Sequence, residues 1–162
     1  MNGSELQPRL ATLEDLPRIQ KVVFEAYEKY LARMDRAPAP LLEDHAKRIL
    51  QNCMWVVGTP VSGLICLLPE DGQLLIDDVA VCPDQQGKGV GKLLMQFAER
   101  EARRLGFKRV VLYTNEVMTE NLAIYSHLGY TETERRLEAG YCRVYMEKQL
   151  GQQSKDDDRI RG

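Results

Sequence analysis

The segment from Ile76 to Gly106, IDDVAVCPDQQGKGVGKLLMQFAEREARRLG, combines the three features that decide the fold. It opens with an apolar, β-rich run, continues through three closely spaced glycines, and ends in a helical pattern. The apolar residues of that pattern share one helix face: Val90, Leu93, Leu94, Phe97, Ala98, Ala102 and Leu105. Gly106 occupies the usual position just after a helix. The segment therefore predicts a strand, a glycine-rich loop and an amphipathic helix.

The flanking sequence places this segment inside a mixed sheet. Residues 53–81 read as an antiparallel meander with turn signals at Thr59-Pro60 and Asp71-Gly72. The apolar run Arg109–Thr114 predicts a strand buried on both faces, so that the strand, the helix and this next strand form a crossover. Further elements are a short strand near residues 7–12 and helices over about 12–33, 42–51 and 118–128. Two closing strands follow. The order predicts one α/β (α+β) domain over residues 1–150, followed by a polar tail, 151–162, expected to be disordered.

Composition narrows the function class. The net charge of −2 over 162 residues gives no indication of a nucleic-acid or anionic-membrane partner. The four cysteines form no CxxC pair and there are only two histidines, so no metal site is expected. Both His45 and His127 are interpreted as solvated surface residues. The sequence shows no signal peptide and no membrane-spanning run, which favours a soluble, cytoplasmic protein.

The glycines at 87, 89 and 91 are typical of an anion site at a helix N-terminus. The first amides of a helix have no internal acceptor, and the helix dipole adds positive potential there. Lys88 and Lys92 add charge nearby. A P-loop is excluded because Gln86 and Leu93 stand where it needs Gly and Ser or Thr, and the spacing G-x-G-x-G fails the dinucleotide fingerprint. The alternative is a flexible loop that only joins strand to helix.

The pattern Q-x-x-G-x-G, formed by Gln86, Gly89 and Gly91, resembles the [RQ]-x-x-G-x-[GA] motif of the GNAT superfamily of acetyl-CoA-dependent N-acetyltransferases. The resemblance extends over about residues 7–149. It implies a mostly antiparallel central sheet flanked by helices, with a V-shaped splay between the strands Leu74–Val81 and Arg109–Thr114. It also implies acetyl-CoA as co-substrate, with no metal.

The resemblance assigns a coenzyme-binding role to two stretches of backbone. The loop residues expected at the diphosphate are Gln86, Gly87, Lys88, Gly89, Val90, Gly91 and Lys92. The residues expected to pair with the pantetheine arm as if it were an added strand are Val79, Ala80 and Val81. Backbone amides near Val79 and Ala80 would also stabilise charge on the thioester oxygen.

Tyr125 is the expected general acid. It lies in MTENLAIYSHLGY, four residues after Asn121 on the same helix face and just before Gly129-Tyr130. In the family a tyrosine in this place protonates the departing thiolate, and Asn121 would contact the coenzyme. This chain departs from the family here, because the family's asparagine often stands seven residues before the tyrosine, where this chain has Met118. The alternative for Tyr125 is an amphipathic core residue.

Asp77 and Asp78 are the candidates for the base that accepts the amine proton. Simple strand alternation puts Asp77 on the side of Val79 and Val81, and Asp78 on the side of Ala80. A carboxylate desolvated in a cleft would have a raised pKa. The sequence favours Asp77, acting directly or through water. The alternative is a pair of strand-end carboxylates that bind nearby arginines.

The acceptor is expected to be a small-molecule or protein amine, and its identity stays open. Candidate residues around it are Tyr27, Tyr30, Arg33 and Tyr141. The competing interpretation is a non-catalytic acyl-CoA-binding sensor of the same fold. A nucleotide-phosphate enzyme is disfavoured by the two failed motifs, and a homodimer is left open.

Overall fold

The computed structural model describes residues 6–151 and shows a seven-stranded sheet in the order β1-β2-β3-β4-β5-β7-β6. The strands are β1 (Arg9–Leu10), β2 (Met54–Val57), β3 (Gly63–Glu70), β4 (Gln73–Val81), β5 (Arg109–Asn115), β6 (Thr131–Glu138) and β7 (Tyr141–Gln149). The β4–β5 pair is parallel and every other pair is antiparallel. The prediction of a mixed, mostly antiparallel sheet is confirmed. The predicted tail, apart from Gly151, lies outside the described residues.

Within residues 6–151, five α-helices cover the two faces of this sheet: α1 (Leu16–Tyr27), α2 (Ala39–Leu42), α3 (His45–Leu50), α4 (Val90–Arg104) and α5 (Thr119–His127). One apolar cluster lies between the sheet and helices α4 and α5, and a second lies between the sheet and helices α1 and α3. The long helix α4 contributes Val90, Leu94, Met95, Ala98 and Ala102 to the first cluster. The amphipathic pattern of α4 therefore predicted its buried face.

The first predicted helix changes its form before its expected end. Helix α1 stops at Tyr27, and a 3-10 helix runs from Glu28 to Arg33. Residues three apart eclipse one another in a 3-10 helix. Tyr27 and Tyr30 are accordingly both buried, with ring centroids 6.1 Å apart. At the start, the Thr12 amide donates to the Asp15 carboxylate at 2.8 Å, as in a capping box.

The second predicted helix is divided in two. Glu43 is extended, and the side chain of Asp44 accepts from the Lys47 amide at 3.1 Å to begin α3. His45 is therefore drawn inward and is only 6% exposed, so its interpretation as a surface residue was wrong. Burial lowers the pKa of His45. His127 is exposed, as expected.

The splay between β4 and β5 is confirmed. The two strands pair only at Leu74–Val110, Leu75–Val111 and Ile76–Leu112. Past this point β4 and β5 no longer pair with each other, so a gap opens between them. The gap joins the two faces of the sheet, and it contains the candidate site.

Candidate active site

The glycine loop presents a group of unpartnered backbone amides. Helix α4 begins at Val90, and Gly87 and Gly89 have φ values of 78° and 89°, which favour glycine. No acceptor within residues 6–151 bonds the amides of Gly87, Gly89, Val90, Gly91 or Lys92. A Cβ at Gly87 or Gly89 would meet nothing within 4 Å, so the space in front of the loop is open. The arrangement suits an oxyanion ligand such as a phosphate group.

Two loop residues, Gln86 and Lys88, use their amides for hydrogen bonds that hold the loop in shape. The amides of Gln86 and Lys88 donate to Pro83 and Gln85 at 3.3 and 3.4 Å. The Gln86 side-chain amide donates to the Val81 carbonyl at 3.1 Å, which ties the loop to the end of β4. Gln86 therefore holds the loop in place, and this contact gives a structural reason for the glutamine that opens the motif.

The outer half of β4 turns backbone groups into the gap. Cys82 donates its amide to Ser62 on the β3 side at 2.8 Å. Because backbone groups alternate in direction along a strand, Ala80 also faces β3, while Val79 and Val81 face the gap. Two contacts support this: the Tyr27 hydroxyl donates to the Val79 carbonyl, and Gln86 donates to the Val81 carbonyl. The amides of Val79 and Val81 remain available to a ligand.

A cleft of about 420 Å³ connects these groups. The loop glycines and Lys92 line one end, the outer half of β4 lines the floor, and Tyr30, Asn121 and Tyr125 line the walls. Burial raises the pKa of Tyr30 to about 12. The cleft brings together most of the loop and strand residues that the sequence assigned to a coenzyme, but Lys88 and Val90 do not line it, and the Ala80 backbone faces β3.

Asp77 and Asp78 lie at a β-bulge. Cys66 of β3 is opposite Asp78 and Leu67 is opposite Ile76, which leaves Asp77 as an extra residue. The bulge resets the alternation, so that Asp77 reaches Arg48 of α3 and Asp78 reaches Tyr27 of α1. The expectation that the two carboxylates point to opposite faces was wrong, because alternation along one strand does not reveal an inserted residue.

The two carboxylates have different partners. Asp77 accepts from the Tyr113 hydroxyl at 3.3 Å through Oδ1, and its Oδ2 lies 3.7 Å from Arg48 Nε without a hydrogen bond among the described residues. Asp78 accepts from the Tyr27 hydroxyl at 3.0 Å, and its second oxygen is buried without a hydrogen-bond donor among the described residues. Burial raises the pKa of Asp77, and burial raises that of Asp78 to about 7 despite the Tyr27 hydrogen bond, which lowers it. Asp78 can therefore exchange a proton near neutral pH.

Tyr125 of α5 faces the acid pair across the gap. It is 9% exposed, and its hydroxyl has no hydrogen-bond partner in the part of the chain that the structure describes. Burial, followed by the charge of Asp78, raises the pKa of Tyr125, so the hydroxyl stays protonated at neutral pH. This tyrosine can donate a proton or a hydrogen bond to a group in the cleft.

A second, smaller cavity of about 60 Å³ lies on the other side of Tyr125. Asp77, Asp78, Tyr27 and Tyr141 line it. Of the other predicted acceptor residues, Tyr30 lines only the larger cleft. Arg33 lines neither cavity and pairs with Glu120 at 2.7 Å.

Sequence reasoning missed five polar residues of the smaller cavity: Glu43, Tyr113, Thr114, Asn115 and Arg143. A signal for Arg143 was present, because it stands two residues after Tyr141 and so shares its strand face. Glu43 and Tyr113 reach the cavity through the helix break and the splay, which the sequence pattern does not show.

The two cavities share four lining residues: Tyr27, Val79, Asn121 and Tyr125. A ligand that fills the cleft from the loop therefore ends beside a second pocket that contains the acid pair. The Asn121 side-chain amide donates to Met118 Sδ at 3.8 Å, and the residue lines both cavities. The arrangement suits a transfer reaction between two substrates that meet at Tyr125.

The described residues form neither a metal-ligand cluster nor a membrane-spanning helix. Among residues 6–151, no group of three or more His, Cys, Asp or Glu side chains could hold a metal ion. No helix in the described range is long and apolar enough to cross a membrane.

Known proteins share this architecture. The family model for the acetyltransferase (GNAT) family matches residues 12–130. The Escherichia coli (strain K12) protein named uncharacterized N-acetyltransferase YjgM is 30% identical over 156 residues, which cover 88% of this chain and 93% of that protein.

Solved structures show the same fold. The crystal structure of the PaiA N-acetyltransferase from Thermoplasma acidophilum in complex with coenzyme A has a TM-score of 0.75 at 17% identity, and the match covers 89% of this chain and 98% of that one. A GNAT family acetyltransferase from Elizabethkingia anophelis with acetyl-CoA bound has a TM-score of 0.55 at 22% identity, over 68% and 87% of the two chains. Because the family match spans the glycine loop, both splayed strands and Tyr125, the chain belongs to the GNAT acetyltransferase family and is an acyltransferase.

Proposed function

We propose that the protein transfers an acetyl group from acetyl-CoA directly to a primary amine. The two solved structures named above contain coenzyme A or acetyl-CoA, which supports this donor. The thioester supplies the activated acetyl group. The residues of this chain bind the two substrates, orient them and move protons between them.

The coenzyme fits the larger cleft. The free amides of Gly87, Gly89, Val90, Gly91 and Lys92 would hold the diphosphate. The gap-facing backbone of Val79 and Val81 would pair with the amide groups of the pantetheine arm. The Val79 amide is also the candidate donor to the thioester oxygen as negative charge develops there.

Asp78 is the better candidate for the base. The sequence favours Asp77, but Arg48 and Tyr113 already bind that carboxylate. Asp78 has no arginine within 4.0 Å among the described residues, a pKa of about 7, and a position close enough to Tyr125 to raise the pKa of that residue. An acceptor amine must lose a proton before it can attack, and a carboxylate with a pKa of about 7 is suited to take it.

Tyr125 is the candidate general acid. Its hydroxyl stays protonated and has no competing partner among the described residues, so it can donate to the departing sulfur. Overall, the neutral amine and the thioester give an amide and a free thiol. The proton that the nitrogen loses is balanced by the one that the sulfur gains.

The observation that carries this proposal is the shared wall between the two cavities, where Tyr125 lies between the loop-lined cleft and the acid pair. The test is thiol release from acetyl-CoA in the presence of a panel of primary amines, with mass spectrometry of the amine product. Amine-dependent thiol release together with acetylated product is expected. Tight acetyl-CoA binding with no release for any amine would contradict the proposal and favour a sensor.

A further inference from the structure

Arg143 of β7 is held over the smaller cavity by two aromatic rings. Its guanidinium carbon lies 4.4 Å from the Tyr113 ring centroid and 5.7 Å from that of Tyr141. A guanidinium stacked on aromatic faces keeps its N–H edges free, and those edges match a planar carboxylate in a two-point contact. The stacking fixes the position of the charge without using its donors.

Arg143 forms no ion pair with a carboxylate of the described residues. Arg48, the other arginine near this cavity, binds Glu43 at 3.1 Å and Asp77 at 3.7 Å. No carboxylate of the described chain lies within 4.0 Å of Arg143. A half-buried cation with no anionic partner costs free energy, and a bound anion would offset that cost.

Tyr113 lies between Arg143 and the acid pair Asp77 and Asp78. The Tyr113 ring is under Arg143, and the hydroxyl of the same side chain binds Asp77, the neighbour of Asp78. The pocket thus offers a carboxylate oxygen without a hydrogen bond at Asp78 and a guanidinium without a carboxylate partner at Arg143. A ligand that satisfies both groups carries an ammonium group and a carboxylate. A polyamine would instead place a second cation near Arg143, which disfavours it.

Resting on the proposed acetyl transfer, we infer that the acceptor is a small amino acid whose ammonium group meets Asp78 and whose carboxylate meets Arg143. The small volume of the cavity, about 60 Å³, is consistent with a compact acceptor. In the reaction the amine nitrogen forms a bond to the acetyl carbon as the carbon–sulfur bond breaks. The carboxylate of the acceptor stays bound and unchanged.

The test compares glycine, β-alanine and 4-aminobutanoate with their three carboxamides in the thiol-release assay. The three chain lengths place the ammonium and carboxylate groups at three different spacings, and the amides also represent a peptide N-terminus. For at least one pair, kcat/KM should be tenfold or more higher for the acid, since a hydrogen bond to a charged group contributes about 1.5–3 kcal/mol. Arg143→Met should reduce this ratio toward one, and Arg143→Lys should keep part of it.

The control variant is Arg135→Met, which removes an exposed arginine of β6 that pairs with Glu132 and Glu116 outside the cavity. It should leave the ratio of acid to amide unchanged. A wild-type ratio of one or less for every pair, or an unchanged ratio in Arg143→Met, would overturn the inference. Turnover of the amides alone would overturn it and leave acetyl transfer standing, whereas no turnover of any amine would overturn both.

Discussion

Asp77 and Asp78 are neighbours in β4, yet both carboxylates reach helices on the same face of the sheet. Asp77 meets Arg48 of α3, and Asp78 meets Tyr27 of α1. The bulge opposite Cys66 and Leu67 makes this possible, and it occurs where β4 begins to leave β5. One inserted residue thus places two acids at the edge of the gap. Each has one buried oxygen without a hydrogen bond among the described residues, but only Asp78 has no arginine within 4.0 Å.

The base assignment predicts unequal effects of two matched substitutions. Asp78→Asn should lower kcat/KM by about 10²–10⁴-fold, the range typical of a lost general base, because Asn cannot accept the amine proton. Asp77→Asn should lower kcat/KM by a smaller factor, since Arg48 keeps its contact with Glu43. Steady-state kinetics with one amine measures both. A larger loss in Asp77→Asn would transfer the role of base to Asp77.

The pH profile gives a second test of Asp78. Because the pKa of Asp78 is about 7, kcat/KM should rise with pH through neutrality as the carboxylate loses its proton. The Tyr27 hydroxyl donates to this carboxylate and thereby lowers its pKa. Tyr27→Phe should therefore shift the rising limb to higher pH. A limb that stays in place, or moves to lower pH, would show that Asp78 does not control the profile.

The same carboxyl group predicts a pH dependence of stability. The folded state holds the Asp78 proton up to about pH 7, whereas an unfolded aspartate loses it near pH 4. The folded state therefore binds more protons in this window, and its free energy of unfolding should fall as pH rises from 4 to 7. The contribution of Asp78 is at most about 4 kcal/mol. Chemical denaturation of wild type and Asp78→Asn should show a smaller fall in the variant, and equal falls would contradict the raised pKa.

The general-acid assignment predicts a loss confined to turnover. Tyr125→Phe removes only the hydroxyl, so kcat should fall by about 10²–10⁴-fold while the acetyl-CoA Kd changes little. Calorimetry and single-turnover kinetics separate the two quantities. Equal losses in binding and turnover would indicate that Tyr125 packs against the coenzyme and does not protonate the sulfur.

The diphosphate assignment predicts that the glycine loop tolerates no acidic side chain. Gly89→Asp places a carboxylate in front of the free amides and should weaken acetyl-CoA binding by at least about 100-fold, through strain and like charge. Gly72→Asp is the matched control, because Gly72 has a φ of 78° and open space around it but lies in the β3–β4 turn. Binding that is equal in the two variants would remove the loop from the site.

Much of the fold could be predicted from local patterns. The apolar face of α4, the β2–β4 meander and the crossover to β5 follow from periodicity and turn residues, and the splay from the family resemblance. The bulge at Asp77 could not be predicted, because it depends on the register of β3. The burial of His45 depends on a helix break that the continuous pattern over 42–51 did not reveal.

The candidate site divides in the same way. The glycine loop, the outer half of β4 and Tyr125 carry local signals, and the structure gathers them around one cleft. The second cavity depends on residues from α1, the helix break, β5 and β7, which only the tertiary fold brings together. Arg143 and Tyr113 are therefore visible as a pair only in the structure.

The central claim is that the loop amides and the splayed strand direct a coenzyme toward the wall shared by the two cavities. A crystal structure of the acetyl-CoA complex tests it most directly. We expect the diphosphate on the free amides of Gly87 and of residues 89–92, and the sulfur within hydrogen-bond distance of the Tyr125 hydroxyl. A diphosphate bound elsewhere, or a sulfur remote from Tyr125, would contradict it.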